Sequence, residues 1–401
     1  MPTLKALLLE NIHPSAEEMF RAQGLEVESL KAALPDDELV QRLSGVDVLG
    51  IRSKTQIPDS VLAKVPKLLS IGCFCIGTNQ VDLDGANRRG VAVFNAPFSS
   101  TRSVAEMVIG EILMLARQLG DRTREVHSGQ WRKVTGNTFE VRGKTLGIVG
   151  YGHIGSQVGL LAEALGMRVV FFDTGTKLPL GNTRPCKSLS ELLGIADFVS
   201  LHVPATPQTE NMISTGELAQ MQKGTFLINA SRGSVVDLTA LAQALRSEHL
   251  AGAAVDVYPQ EPHSNSDGFQ TPLQGLANVV LTPHIGGSTA EAQEAIGREV
   301  ATSLLKFVQV GASTGAVNFP QVELPHSPGT HRVLNVHRNV PGVLRDVNQI
   351  ASELNANIHS QVLSTDATIG YLIMDLDQDV SQAVSERMAK LAVNIRTRVI
   401  R

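Results

Sequence analysis

Between Leu146 and Asp173 the chain runs from a short apolar stretch, through three spaced glycines, into a helical pattern and out into a second apolar stretch. Leu146 to Val149 has the length and character of a buried parallel strand. Gly150, Gly152 and Gly155 follow in G-x-G-x-x-G spacing. Gly150 serves a tight turn, Gly152 lets the backbone approach a pyrophosphate, and Gly155 lets the new helix pack closely on its strand. Ile154, Val158, Leu161, Ala162 and Leu165 recur at helical spacing, Gly166 ends the helix, and Arg168 to Phe172 makes the next strand. Asp173 closes that strand about 20 residues past the last glycine, where a carboxylate accepts hydrogen bonds from an adenosine ribose. Strand, glycine turn, helix, strand and acid in this order separate a dinucleotide site from an ordinary turn. A carboxylate pairs with a ribose 2′-hydroxyl and repels a 2′-phosphate, so Asp173 argues for NAD over NADP. The neighbouring Lys177 reads as a solvated loop residue.

A length of 401 residues suggests two or three domains. The hydrophobic share of 43% and charged share of 18% are those of a soluble globular protein. A net charge of −4 supplies no field toward nucleic acid or an anionic membrane. The single Trp offers no stacking platform for single-stranded nucleic acid. The opening Met-Pro-Thr-Leu-Lys lacks a signal-peptide pattern, and no apolar run has the length of a bilayer span. Cys73, Cys75 and Cys186 show no metal-ligand spacing, so reduced thiols, no metal site and a cytoplasmic location are expected.

Residues 1–99 read as a first α/β unit, with apolar runs at Leu4 to Leu9, Val46 to Ile51, Leu68 to Ile71 and Val91 to Phe94 and helical segments between them. Ser103 to Arg117 is a long helix whose stripe is Val104, Met107, Val108, Glu111, Ile112 and Leu115. A polar connector with Trp131-Arg132-Lys133 follows. Residues 100–286 form the nucleotide unit, with further strands at Phe198 to Leu201, Phe226 to Asn229, Gly252 to Val257 and Val279 to Leu281. A helix from Ala290 to Val308 returns to the first unit, which residues 287–320 complete. Pro320, Pro325, Pro328 and Gly329 mark a linker, placed at 321–329. Residues 330–401 read β-α-β-β-α-β, with one apolar stripe per helix, as for helices on one face of an antiparallel sheet. The fold class expected is α/β: two Rossmann-like parallel-sheet domains and a ferredoxin-like α+β module.

A nicotinamide site implies hydride transfer, so the protein must hold and polarise a substrate. Oxidising a secondary alcohol needs a base for its proton and benefits from a cation near its oxygen. Three strand-end loops offer candidates. Asn229-Ala230-Ser231-Arg232-Gly233 supplies an arginine able to grip a carboxylate in bidentate fashion. Asp256 to Pro262 supplies carboxylates, and Pro283-His284-Ile285-Gly286-Gly287 an imidazole. Taken singly, each reads as a surface or loop residue; three beyond one dinucleotide motif favour catalysis. In the first unit, Arg52-Ser53-Lys54 and Gly77-Thr78-Asn79 sit at strand ends, where ligands bind a parallel sheet.

These blocks, with Ile71 to Asn79 and Phe94-Asn95-Ala96-Pro97, span nearly the whole chain and resemble the D-2-hydroxyacid dehydrogenase family. Within the family, the chain closely resembles the branch that oxidises 3-phospho-D-glycerate to 3-phosphohydroxypyruvate with NAD, the first step of L-serine synthesis, and ends in an ACT domain. The resemblance implies that Arg232 binds the substrate carboxylate and carbonyl oxygen, and that His284 is the acid/base paired with Glu261. It implies His153 and Ile154 under the pyrophosphate, Asp256 toward the nicotinamide, and Ala230, Ser231, Gly286 and Gly287 among the cofactor contacts. It implies backbone amides near Ser53 and Gly77 on the carboxylate. A phosphate needs cations: Arg52 and Lys54 flank Ser53, and Lys133 is a third candidate. One departure is Ser100, where the family pattern has Asn. In the end module, His337, Asn339 and Asn357 match an effector-binding pattern that two paired domains share, implying L-serine as effector and a homo-oligomer, a tetramer by the family's habit. Alternatives left open are reduction of 2-oxoglutarate to 2-hydroxyglutarate, an NAD-binding sensor without catalysis, and a terminal module that only oligomerises the chain.

Overall fold

The structure, a computed structural model, describes residues 3–133, 135–262 and 267–400. They form two compact units, residues 1–99 with 293–401 and residues 100–292. The crossing therefore falls inside the Ala290–Val310 helix rather than at 286. Residues 287–289 stay with the nucleotide unit because Gly287 abuts Ser100 and the Thr289 hydroxyl bonds Ser103 Oγ at 2.7 Å.

In the first unit, strands β1 (Lys5–Leu8), β2 (Glu26–Ser29), β3 (Val48–Ile51), β4 (Ser70–Cys73) and β5 (Ala92–Asn95) make a parallel sheet ordered β2-β1-β3-β4-β5. β3 and β4 are buried throughout, as continuous apolar runs in a sheet covered on both faces require. β2 escapes the sequence reading. Its Glu-Val-Glu-Ser buries only Val27, because an edge strand with one wet face has no apolar run to show.

Among the described residues the second unit carries seven strands: β6 (Thr145–Val149), β7 (Arg168–Phe172), β8 (Arg184–Pro185), β9 (Phe198–Leu201), β10 (Thr225–Asn229), β11 (Leu250–Val255) and β12 (Val279–Leu281). They pair in parallel in the order β12-β11-β10-β9-β6-β7-β8. The strand order reverses beside β6, the switch point at which such sheets bind ligands. The Thr101–Arg117 helix packs its stripe on this sheet's core. A second helix, Leu119–His127, lies where a polar connector was expected. It buries no residue, so no apolar period announces it. Gln118 at φ +53° separates the two helices, and Asp121 Oδ2 accepts the Asn278 amide at 2.7 Å.

Residues 331–400 form an antiparallel sheet of β13 (His331–Arg338), β14 (Ile358–Thr365), β15 (Ile369–Leu376) and β16 (Asn394–Ile400), ordered β14-β15-β13-β16. Helices Val343–Glu353 and Ser381–Met388 cover one face, with Val333, Leu372, Met374 and Leu376 beneath them. The other face is buried too: Leu334, Val336, Ile369, Tyr371 and Ile373 share one core with Phe94, Phe307 and Phe319. β15 is accordingly buried at all eight positions. The proline-marked segment is docked. Val322 is buried, and the carbonyls of Leu324 and Pro325 accept bonds from Arg332. Among the described residues no helix is long and apolar enough to cross a membrane.

Candidate active site

The glycine turn has the geometry its spacing predicts. Gly150 lies at φ +91°, and a Cβ there would fall 2.5 Å from the His202 carbonyl oxygen. A Cβ on Gly155 would fall 2.2 Å from the Gly150 oxygen, so both positions require glycine. Gly152 differs, since a Cβ there meets nothing within 4 Å. It caps the His153–Ala164 helix with no side-chain bond to the first amides. An open, side-chain-free cradle at a helix N-terminus fits a pyrophosphate, with the amides of His153, Ile154 and Gly155 as donors. Asp173 at the end of β7 accepts from Tyr151 N at 2.9 Å and Gly175 N at 2.8 Å. Each carboxylate oxygen retains acceptor capacity for a ribose. These residues fit NAD.

The loops after β10, β11 and β12 bring the predicted catalytic groups together. His284 Nδ1 lies 2.8 Å from Glu261 Oε2, and Glu261 Oε1 accepts from Tyr258 N at 3.2 Å. The hydrogen bond to Glu261 holds the imidazolium above its ordinary pKa, against the effect of burial. Burial pushes Glu261 upward, but His284, the Tyr258 amide and Arg232 outweigh it, and the acid is lowered. His284 Nε2 has no hydrogen-bond partner among the described residues and is free to face a substrate. Arg232 acts electrostatically on both members of the pair. A Cβ on Gly233 would lie 1.9 Å from the Tyr258 carbonyl carbon, so the arginine loop and the glutamate loop are pressed together.

Other residues build this arrangement, and sequence reading missed most of them. Buried Asn229 accepts Ser231 N and Oγ and donates to Arg232 O at 3.1 Å, closing the turn that carries Ala230, Ser231 and Arg232. Asp256 accepts Thr282 Oγ1 at 2.5 Å and the amides of Ile285 and Gly286 at 2.9 Å each. It is the anchor of the histidine loop, and His284 sits on that loop at φ +55°. Glu111 is 3% exposed with both oxygens unpartnered among the described residues. Burial, then the charge of Asp256, pushes its carboxyl up to about 8. Its signal was an acid on the apolar stripe of its helix. Ser100, the departure from the family pattern, is buried at that helix's start and caps it without a side-chain bond. Lys133 is exposed on the connector, with no hydrogen bond to the catalytic groups.

In the first unit, the loops carrying Arg52, Ser53, Lys54 and Gly77 are neighbours at the carboxyl ends of β3 and β4. Gln80 Nε2 joins them, donating to Arg52 O at 2.6 Å and Gly77 O at 3.2 Å. The three effector candidates do not all meet within one chain. His337 is buried, bonded to Asn335 Oδ1 at 2.8 Å and lowered in pKa by burial. Asn339 donates to Asp366 O at 2.7 Å at one end of β15, while Asn357 donates to Asp377 at the other. Among the described residues no group of three or more His, Cys, Asp or Glu could hold a metal ion.

Residues 109–286 match the NAD-binding domain of D-isomer specific 2-hydroxyacid dehydrogenases, and residues 334–395 match an AHAS small subunit-like ACT domain. The chain is 53% identical over 397 residues to a D-3-phosphoglycerate dehydrogenase of Dictyostelium discoideum, covering 99% of this chain and 97% of that one. It is 51% identical to the D-3-phosphoglycerate dehydrogenase of Escherichia coli K12, with the same coverage. Among solved structures, the TT0316 protein of Thermus thermophilus superposes at a TM-score of 0.71 with 34% identity, over 78% of this chain and all of that one. At this identity and coverage the chain belongs to the D-isomer specific 2-hydroxyacid dehydrogenase family, among its D-3-phosphoglycerate dehydrogenases.

Proposed function

We propose that the chain oxidises 3-phospho-D-glycerate at its 2-hydroxyl to 3-phosphohydroxypyruvate. The observation that carries this reading is the His284–Glu261 pair, 2.8 Å apart, beyond an intact dinucleotide motif. Bound NAD supplies the hydride acceptor. His284 Nε2 takes the hydroxyl proton as the C–O bond becomes a carbonyl, and Glu261 stabilises the resulting imidazolium. Arg232 holds the substrate carboxylate and the reacting oxygen with its forked donors. In the first unit, the amides of Ser53 and Gly77 serve the carboxylate. Arg52 and Lys54 serve the phosphate, with Lys133 a further candidate.

The terminal module is assigned to feedback by L-serine, held by His337, Asn339 and Asn357 drawn from two chains of a homo-oligomer, a tetramer by resemblance. Cys73, Cys75 and Cys186 form no disulfide among the described residues, which suits the reducing cytoplasm in which we place the reaction. The test is NADH absorbance with 3-phosphoglycerate and a carbonyl trap, run beside the reverse reaction with 2-oxoglutarate. Turnover of phosphoglycerate at the higher kcat/KM supports the proposal. Preference for 2-oxoglutarate would make the chain a 2-hydroxyglutarate-forming reductase, and NAD binding without turnover of either would make it a sensor.

A further inference from the structure

We propose that Glu10 and Gln80 are positioning residues for the substrate, because together they determine which backbone amides of the loops after β3 and β4 face an incoming carboxylate. The inference rests on the assignment of the Ser53 and Gly77 amides to that carboxylate.

Glu10 follows β1, is 7% exposed and takes φ +63°. Its Oε1 accepts Arg52 N at 3.2 Å and Thr55 N at 2.8 Å, and its Oε2 accepts Lys54 N at 3.0 Å. Of four consecutive amides the carboxylate takes three. Ser53 N, between them, has no acceptor among the described residues. A buried carboxylate needs such donors, and the loop amides need an acceptor, so each fixes the other. The loop after β4 is tied from its carbonyl side. Gln80, 3% exposed, donates to Gly77 O at 3.2 Å and across to Arg52 O at 2.6 Å. Asn95 Nδ2 donates to Ile76 O at 2.6 Å, and Ala96 N to Cys75 O at 3.0 Å. With their carbonyls held, the amides of Ile76, Gly77 and Thr78 have no acceptor among the described residues. Two neighbouring loops thus hold their carbonyls and spare amides inward and leave a donor set free, the preorganisation that anion binding needs.

The sign of one substitution separates positioning from mere charge. Glu10→Gln removes a negative charge near an anionic substrate. If the charge alone mattered, binding would tighten. If Glu10 orders the amides, the new NH₂ opposes loop N–H groups and binding weakens.

The experiment is steady-state kinetics of Glu10→Gln, Gln80→Leu and Ser53→Pro with 3-phosphoglycerate, beside calorimetric NAD binding and thermal unfolding. We expect KM to rise about tenfold in the first two variants, with kcat and the NAD dissociation constant within about twofold of wild type. An unchanged or lower KM in both overturns the inference. So does a rise in KM that comes with parallel losses of NAD affinity and thermal stability. Gln80→Leu decides the matter if Glu10→Gln does not fold. Ser53→Pro deletes the spared amide. If it leaves KM unchanged, the carboxylate assignment itself fails. If it raises KM while the other two do not, only the role of Glu10 and Gln80 fails.

Discussion

His284 titrates where its neighbour puts it. As the proposed base for alcohol oxidation it must be neutral, so activity should rise as pH passes through its pKa. Glu261 raises that pKa, chiefly through the 2.8 Å hydrogen bond. In Glu261→Gln the imidazolium loses its support, the pKa falls, and the rising limb of kcat/KM against pH moves to lower pH; a superimposable profile removes the pair from the mechanism. His284→Ala should lower kcat by about 10²–10⁴-fold while the NAD dissociation constant, read by calorimetry, stays put. Asp173→Ala should weaken NAD by about tenfold or more and narrow the preference over NADP, because the charge proposed to face the 2′-position is gone. These residues were visible in the sequence because they are polar groups at strand ends beyond a glycine motif. Asn229, Thr282 and the anchoring role of Asp256 were not visible, since what they do is bond backbone atoms, and only coordinates show which atoms.

At the scale of elements, period and glycine spacing located every strand of the nucleotide sheet but the two-residue β8. Where almost every side chain is wet, as in β2 and the Leu119–His127 helix, no buried stripe exists to read. The Thr101–Arg117 helix was legible, yet its Glu111 has a consequence for stability. With its carboxyl pushed up to about 8 by burial, the folded chain holds a proton there that the unfolded chain releases near the ordinary 4.5. Folding then binds a proton between those values, so stability is greatest below 4.5 and is lost progressively as pH rises toward 8. Glu111→Gln removes this dependence. Its melting temperature relative to wild type should climb from pH 5 to pH 8 in thermal scans. A constant offset would show that Glu111 ionises in the folded chain as it does in the unfolded.

At the scale of the molecule, the terminal module is built into the first unit. Arg332, with its side chain fully buried, pairs with Asp375 through two 2.7 Å bonds and donates to the carbonyls of Val310, Leu324 and Pro325. Arg332→Ala would strand a buried carboxylate and three carbonyls, at a cost of about 3–5 kcal/mol in denaturant unfolding. A loss below about 1 kcal/mol would mean that the anchor is dispensable. The same scale bears on the proposed regulation. Asn339 and Asn357 lie at opposite ends of β15, about 25 Å apart by strand rise, so an effector touching both must bridge two chains. Inhibition by L-serine should vanish in Asn339→Ala and weaken on dilution to monomers; wild-type activity flat to serine, with no serine binding by calorimetry, would leave the module an oligomerising role.

The sequence by itself determined the nucleotide unit, its NAD cofactor, the residues proposed for catalysis and the order of elements in the terminal module. Each is encoded within a few tens of residues, as a period, a glycine spacing or a polar group after an apolar run. Tertiary structure alone decided three things. The second face of the terminal sheet is buried against Phe94, Phe307 and Phe319, a partner that the apolar run of β15 does not name. Glu10 reaches the amides of a loop more than forty positions away. Asp256 holds the histidine loop rather than standing free. In all three the deciding partner lies on another element, and a hydrogen bond or a packed face depends on distance in space, which local pattern does not record.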